Sequence, residues 1–508
     1  MHIKIGKISK LIFWIISVFI IMYAIYIRGF YYLKNIPFWG DDMLLAQSIC
    51  EQDIWKSFTH IYGMQKAPPI FVFFTYLNTL LFGFKEWVLR LIPFIAGILS
   101  VILFFILSLK VFKSKISIIT AMLMFALNGK LIYYAQEFKQ YSFDLFMCLL
   151  VLLSYNYVNI EDFNLKNYKK IIFYLVVVFL IMISSFPAAF AIFAVLTLKT
   201  AEHKQFPKGL VVIGIGILGT CTYIINLFRH VLPLEITEPV WLQGFISFSP
   251  SVVYNVFEKF MQFNDLNNIL FMICLFIGIL ICAVEKSKQA KLIFIFFLYA
   301  CFASLIHIYP ISSRAALYLI PVFIIFIVKP LEIGNYNNKN LKIISYIKSI
   351  ILMAVIISTI MRVDVTKEYN VIIYKDYNYR INNKNDYLNL IKNYNSDDLL
   401  MANIEFNSWL SFYNKDLGYN RDFKTTINQL GDGTSYKEFL ENVRTFLEKS
   451  DKTKNIYLAF LIMEGGYNPF QENDIENIIK ELNLEYQKLN CNIQHNKIWK
   501  LYTISHDK

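Results

Sequence analysis

The chain has 508 residues, 56% of them hydrophobic and 17% charged, against roughly 45–50% and about 25% in soluble globular chains. That balance excludes an ordinary soluble domain. The net charge of +12 does not point to nucleic acid either: residues 362–508 carry 19 basic and 21 acidic side chains, whereas residues 1–361 carry 30 and 16. The basicity therefore belongs to the hydrophobic part, where it orients loops across a membrane.

In chain order, eleven apolar runs read as membrane spans: 11–27, 88–109, 116–134, 141–158, 171–185, 188–198, 210–228, 268–284, 292–308, 315–328 and 343–360. The 46 Phe, 33 Tyr and 7 Trp supply the aromatic excess of lipid-facing helices and interfacial belts. The first run is long for a signal peptide, lacks a small-residue cleavage site and ends in Arg28-Gly29-Phe30-Tyr31, so it reads as a retained span.

A twelfth run, 68–84, begins Pro-Pro and ends near Gly83, and is short for a ~30 Å hydrocarbon core. If it lies in the interface instead of crossing, every loop on the N-terminal side is basic. Those loops hold Lys4, Lys7 and Lys10, then Lys110, Lys113 and Lys115, then Lys166, Lys169 and Lys170. Beyond them come Lys199, Lys204 and Lys208, then Lys286, Lys288 and Lys291, and Lys329, Lys339 and Lys342. A crossing would put all but the first of these clusters outside, against the positive-inside rule. The expected fold class is a polytopic α-helical membrane protein of about eleven spans. Its N-terminus is cytoplasmic, its C-terminus is outside, and an interfacial helix at 68–84 lies within an outer loop, 30–87.

Two domains are expected, a transmembrane domain over 1–361 and a small α/β domain outside the membrane over 362–508. In the second, an amphipathic helix is expected at 436–450, a strand at 456–463, a helix near 472–482 and a strand at 498–504. The seven cysteines, Cys50, Cys148, Cys221, Cys274, Cys282, Cys301 and Cys491, are odd in number, mostly inside apolar spans, and lack CxxC spacing. They read as small hydrophobes.

Ionisable residues near a membrane are expensive, and four groups fall on the outer side. In PFWGDDMLLAQ, Asp41 and Asp42 precede an apolar-periodic stretch, which suits helix capping or a reactive acid pair. In QKAPPIF, Lys66 is either a snorkelling lysine or a partner for a lipid phosphate. In YYAQEFKQYSFDLF, Glu137 and Lys139 read as solvated charges or as site residues. Asp144 falls inside a span, where a carboxylate costs about 2.5–3.5 kcal/mol, so it needs a partner such as Lys139 or a ligand. In YPISSRAALYLIP, Arg314 opens a span against the charge bias, and its planar fork suits a phosphate or carboxylate. Carboxylates that take a proton and cations that hold phosphate on one face are the equipment for displacing a phosphate-linked leaving group from a lipid.

Taken in order, Asp41-Asp42, Lys66-Ala67-Pro68-Pro69, Arg90-Leu91-Ile92-Pro93 and Lys139-Gln140-Tyr141 give the chain a resemblance to the GT-C membrane glycosyltransferases that use polyprenyl-phosphate sugars. These are family 39 and its neighbours, the protein O-mannosyltransferases and lipid A aminoarabinose transferases. The match runs from Pro37 to Tyr157, with a second piece around Arg314. It departs from the family pattern in having Asp42 for the commoner Glu, Gln65 where some members have an acid, and Lys139 for the commoner Arg. Ser184-Ser185-Phe186-Pro187 stands where the family usually has a His-bearing outer region.

The resemblance implies an inverting transferase that moves a sugar from a polyprenyl-phosphate donor to an acceptor hydroxyl on a glycan, lipid or protein. Asp41 would be the general base and Asp42 its support. Lys66, Arg314 and Lys139 would bind the donor phosphate, and Glu137, Asp144 and Tyr141 would shape the site. Lys-, Ile-, Asn- and Tyr-rich usage suggests an AT-rich bacterial genome, so the expected location is a bacterial plasma membrane with the active site on the outer face. No nucleotide site is needed, and no Gly-rich phosphate loop is present. The only cofactor candidate is a divalent metal at Asp41-Asp42, and two adjacent carboxylates make a poor ligand set. A multi-pass transporter or flippase is the alternative. It would be expected to show internal repeats and paired broken helices near the midplane, and neither is evident.

Overall fold

Helices occupy the apolar runs that fall among the described residues. The computed structural model describes residues 2–38, 40–62, 65–203, 207–229, 242–264, 266, 269–311, 313–332, 384–385, 388–394, 398–403, 410, 412–414, 425–428, 436–450, 455–463, 474–482, 484–494 and 497–505. The run expected at 343–360 lies outside them. The chain divides into two compact units. The first comprises Met1–Asn35, Lys66–Asn78 and Trp87–Tyr369, and the second Ile36–Gln65, Thr79–Glu86 and Asn370–Lys508.

The first run lies in α1 (His2–Leu33), and the loop after it carries α2 (Gly40–Glu51), α3 (Ile54–Ser57) and α4 (Pro69–Phe82). Pro69 opens α4, where its missing N–H leaves no gap in the ladder. Gly83 closes the helix at φ 82°, with its N–H on Thr79 O at 2.9 Å. Its 14 residues rise about 21 Å, which is short of a bilayer core.

Next come α5 (Glu86–Leu89), α6 (Leu91–Val111), α7 (Lys115–Ala126), α8 (Gly129–Tyr134), α9 (Tyr141–Ser154), α10 (Tyr168–Ser184), α11 (Ala188–Glu202) and α12 (Gly209–Leu227). They are followed by α13 (Pro250–Phe263), α14 (Ile269–Val284), α15 (Lys288–Leu305), the 3-10 stretch Ser313–Leu319 and α16 (Ile320–Val328). Among the described residues, six helical stretches are long and apolar enough to cross a membrane: Lys10–Leu33, Leu91–Val111, Leu165–Ser184, Gly209–Leu227, Lys288–Leu305 and Arg314–Glu332.

The run at 116–134 is broken where a single helix was expected. It stops at Ala126 and restarts after Asn128, whose side chain caps α8 by accepting from Leu131 N at 3.0 Å. Asn-Gly is a turn dipeptide, and the carbonyl freed at Ala126 accepts from the buried Arg28 guanidinium of α1 at 3.2 Å.

The first unit packs around its innermost stretch, in which every residue from Ala315 to Glu332 is buried. A run without charges between Arg314 and Lys329 has no face that water would hold outward. Gly278 of α14 lets the backbones touch there, because a Cβ on it would stand 1.8 Å from Phe326 O. At the end of this stretch Lys329, read from sequence as a loop charge, is buried. Its ammonium bonds Val111 O at 3.0 Å and pairs with Glu285 at 2.8 Å. Beside it, Glu332 accepts from the backbone N–H groups of Lys113 and Ser114 at 3.0 and 2.8 Å.

The second unit contains a five-stranded sheet of order β2-β1-β3-β5-β4, formed by β1 (Leu399–Asn403), β2 (Thr425–Asn428), β3 (Ile456–Met463), β4 (Glu485–Gln494) and β5 (Lys497–Ser505). The pairs β1–β2 and β1–β3 are parallel, while β3–β5 and β4–β5 are antiparallel. Two helices, α17 (Tyr436–Lys449) and α18 (Asp474–Glu481), cover one face. Val443, Leu447, Ile478 and Ile479 meet the alternating Ile456 and Leu458 there. The interposed Tyr457 is buried on the other side, with its ring 6.0 Å from Tyr394.

Candidate functional site

The residues between α8 and α9, for which solvated charges and site residues were equal readings of the sequence, are buried: Glu137 is 5% exposed and Lys139 3%. A tight turn places them, closed by the Lys139 N–H on Glu137 O at 2.8 Å. Lys66 is drawn to this turn by its own backbone, since its carbonyl accepts from Gln140 Nε2 at 3.1 Å. One turn into α4, Phe71 holds the same junction, with its ring stacked on Phe138 at 5.9 Å and tilted on Phe143 at 6.1 Å.

Arg314 arrives from the 3-10 stretch before the innermost helix, with its guanidinium 5.9 Å from the centre of the Tyr141 ring. Tyr141 meets Tyr134 edge-on at 5.4 Å. A guanidinium over an aromatic face is held in orientation by the ring quadrupole. Five of the sequence candidates, Lys66, Glu137, Lys139, Tyr141 and Arg314, thus gather at one junction of the first unit.

Asp144 lies one turn further along α9 and is 2% exposed. It is not paired with Lys139: neither carboxyl oxygen makes a hydrogen bond. The buried Ser185 hydroxyl, at the break between α10 and α11, is the polar group beside it. Tyr309 and Tyr318 enclose this place, with ring centres 6.0 Å apart and both close to Phe190.

Asp41 and Asp42 belong to the other unit. They occupy the first turn of α2, where negative charge opposes the positive end of the helix dipole. Asp42 is buried, and the Asp41 side chain lies outside the described residues. The far end of α2 is anchored by Ser48, whose Oγ accepts from Tyr62 N at 2.8 Å and whose carbonyl accepts from Ser57 Oγ at 3.0 Å.

Sequence reasoning missed the group that ties this loop to the tail. Glu86, 2% exposed, accepts from the Tyr413 hydroxyl at 2.5 Å and from the Lys384 ammonium at 2.6 Å. The neighbour Phe412 packs edge-on against Phe38 at 5.4 Å, three residues before Asp41. Glu86 carried no local signal, because its partners lie about three hundred positions away. Arg28 was equally silent. Among the described residues no cluster of three His, Cys, Asp or Glu is placed to hold a metal ion.

No family model matches the sequence, and no curated protein matches it by sequence. The three-dimensional structure does find counterparts. It superposes on the crystal structure of ArnT from Cupriavidus metallidurans in the apo state with a TM-score of 0.54 at 10% identity, over 98% of each chain. On the same protein bound to undecaprenyl phosphate, the TM-score is 0.53 at 10% identity, over 95% of this chain and 97% of that one. This chain shares the fold of ArnT. The likeness spans the membrane helices and the tail alike, since almost the whole of both chains is covered.

Proposed function

We propose that this protein is a GT-C glycosyltransferase of the polyprenyl-phosphate type, working at the outer face of a bacterial plasma membrane through about eleven spans. The observation that carries the reading is the junction of Lys66, Lys139, Tyr141 and Arg314 in a fold shared with ArnT, a protein solved with undecaprenyl phosphate bound. The order of sequence motifs supports the same class independently.

In this reading Lys66, Lys139 and Arg314 hold the phosphate of the lipid donor, and Tyr141 keeps the Arg314 fork oriented. Asp41, supported by Asp42, takes the proton from an acceptor hydroxyl. The acceptor oxygen then attacks C1 of the sugar while the C1–O bond to the phosphate breaks, so the configuration inverts. Both electrons of that bond leave with the polyprenyl phosphate, whose added negative charge the three cations stabilise. A base and a phosphate clamp suffice, with no covalent glycosyl-enzyme. The acceptor is a glycan, lipid or protein hydroxyl.

The test is turnover of labelled polyprenyl-phosphate sugars by purified protein in liposomes. Wild-type protein is expected to transfer or slowly hydrolyse the donor. Asp41→Asn should lose turnover but keep donor binding, and Arg314→Ala should lose about 100-fold in turnover together with donor affinity. Donor crossing the bilayer intact, with no turnover, would overturn the reading in favour of a transporter.

A further inference from the structure

A buried carboxyl with no internal partner calls for a reason, because native interiors satisfy nearly all of their buried polar atoms. Asp144 is such a group: it is 2% exposed, and both of its oxygens are without a hydrogen bond. Ser185, 0% exposed, stands beside it, and no charged group pairs with either. Neither fits a packing role, which a leucine and an alanine would fill without desolvating three polar atoms.

Their position is informative. Tyr141, beneath the Arg314 guanidinium, and Asp144 are three residues apart on α9, so they lie on one face about one helical turn apart. A ligand anchored by an anionic group at Arg314 needs only the reach of a single ring to present hydroxyls to Asp144. Around that carboxyl the rings of Tyr309 and Tyr318 offer apolar faces. Hydrogen-bond acceptors set among aromatic faces suit a polyhydroxylated ring, with C–H edges for the aromatics and O–H groups for the acceptors.

We propose that Asp144 and Ser185 form the subsite for the sugar of the donor, with the Asp144 carboxyl accepting from a ring hydroxyl and Ser185 bonding a neighbouring one. This rests on the polyprenyl-phosphate reading and adds to it the part of the protein that distinguishes a sugar-bearing lipid from the bare lipid phosphate. Asp144 and Ser185 are specificity residues, and neither takes part in breaking the C1–O bond.

The test compares the affinity of the full-length protein in nanodiscs for undecaprenyl phosphate and for undecaprenyl-phosphate hexoses and pentoses. The readout is the ratio of the two affinities. Wild-type protein should favour at least one sugar-bearing lipid. Asp144→Asn and Ser185→Ala should erase about 10- to 100-fold of that preference while leaving the affinity for undecaprenyl phosphate unchanged. Asp144→Leu guards against misfolding as an explanation: it should unfold at the same or a higher temperature than wild type and still lose the preference. An unchanged ratio in all three variants, or an equal loss for both lipids, overturns the proposal. If wild-type protein binds neither lipid, the glycosyltransferase reading fails and this subsite with it. If it binds both and the variants do not alter the ratio, only the subsite fails.

Discussion

The two compact units each bury a carboxyl, and they treat it in opposite ways. In the second unit, Glu86 spends its oxygens inside the protein, on the Tyr413 hydroxyl and the Lys384 ammonium. In the first, Asp144 spends neither. The first unit shows that this is not a shortage of partners, for Glu332 at the far end of its innermost helix accepts two backbone N–H groups and lies beside Lys329. A carboxyl satisfied within the chain stabilises the fold. One left without a charged partner costs stability, and under the sugar-subsite proposal it is retained for what it binds.

That contrast can be broken most severely at Lys329. Lys329→Ala would leave Glu285 and Glu332 facing an uncompensated interior, and a loss of about 4 kcal/mol is expected. It should appear as a large fall in the unfolding temperature in detergent, and a shift of only a degree or two would show that the group is far better hydrated than its burial implies.

Glu86→Gln comes next. It keeps the shape but removes the charge facing Lys384, which is 23% exposed and so partly hydrated, and a loss of about 2 kcal/mol is expected. Because Phe412, next to Tyr413, packs on Phe38 just ahead of Asp41, limited proteolysis of the 36–65 loop should quicken in this variant. Unaltered cleavage would separate Glu86 from the placement of the acid pair. The smallest effect sharpens the comparison from the other side. Asp144→Leu should raise stability by about 1 kcal/mol, since it replaces a buried unsatisfied group with an apolar one, and a clear destabilisation would place Asp144 among the structural carboxyls.

Much of the helical framework was legible because hydropathy and the 3.6-residue period act over one or two turns. Ten of the expected apolar runs hold helices, and α17, β3, α18 and β5 fall close to the ranges read for the tail. The short β1 and β2 and the polar β4 were not read. Each takes its place from its neighbours in the sheet and lacks a strong apolar alternation of its own. The amphipathic α13, inside a long loop, was likewise passed over.

The candidate site was legible in its residue types but not in its assembly. Lys66, Glu137, Lys139, Tyr141 and Arg314 were singled out as charges or motif residues in costly places, yet solvated loop charges remained an equal reading for Glu137 and Lys139. Only packing removed that reading, by burying both at a turn held by Gln140 on the Lys66 carbonyl and by Phe71 on Phe138.

The sequence by itself determined the class: an apolar chain whose spans, basic loops and charged tail follow from local composition and from the expense of putting charge in a membrane. Tertiary structure alone decided which charges are satisfied. Glu86 and Lys384 are 298 positions apart, Glu332 and Ser114 218, and Arg28 and Ala126 98. Hydrogen bonds of that range leave no periodic trace, because they depend on where the folded backbone brings two groups and not on what lies beside them in the chain.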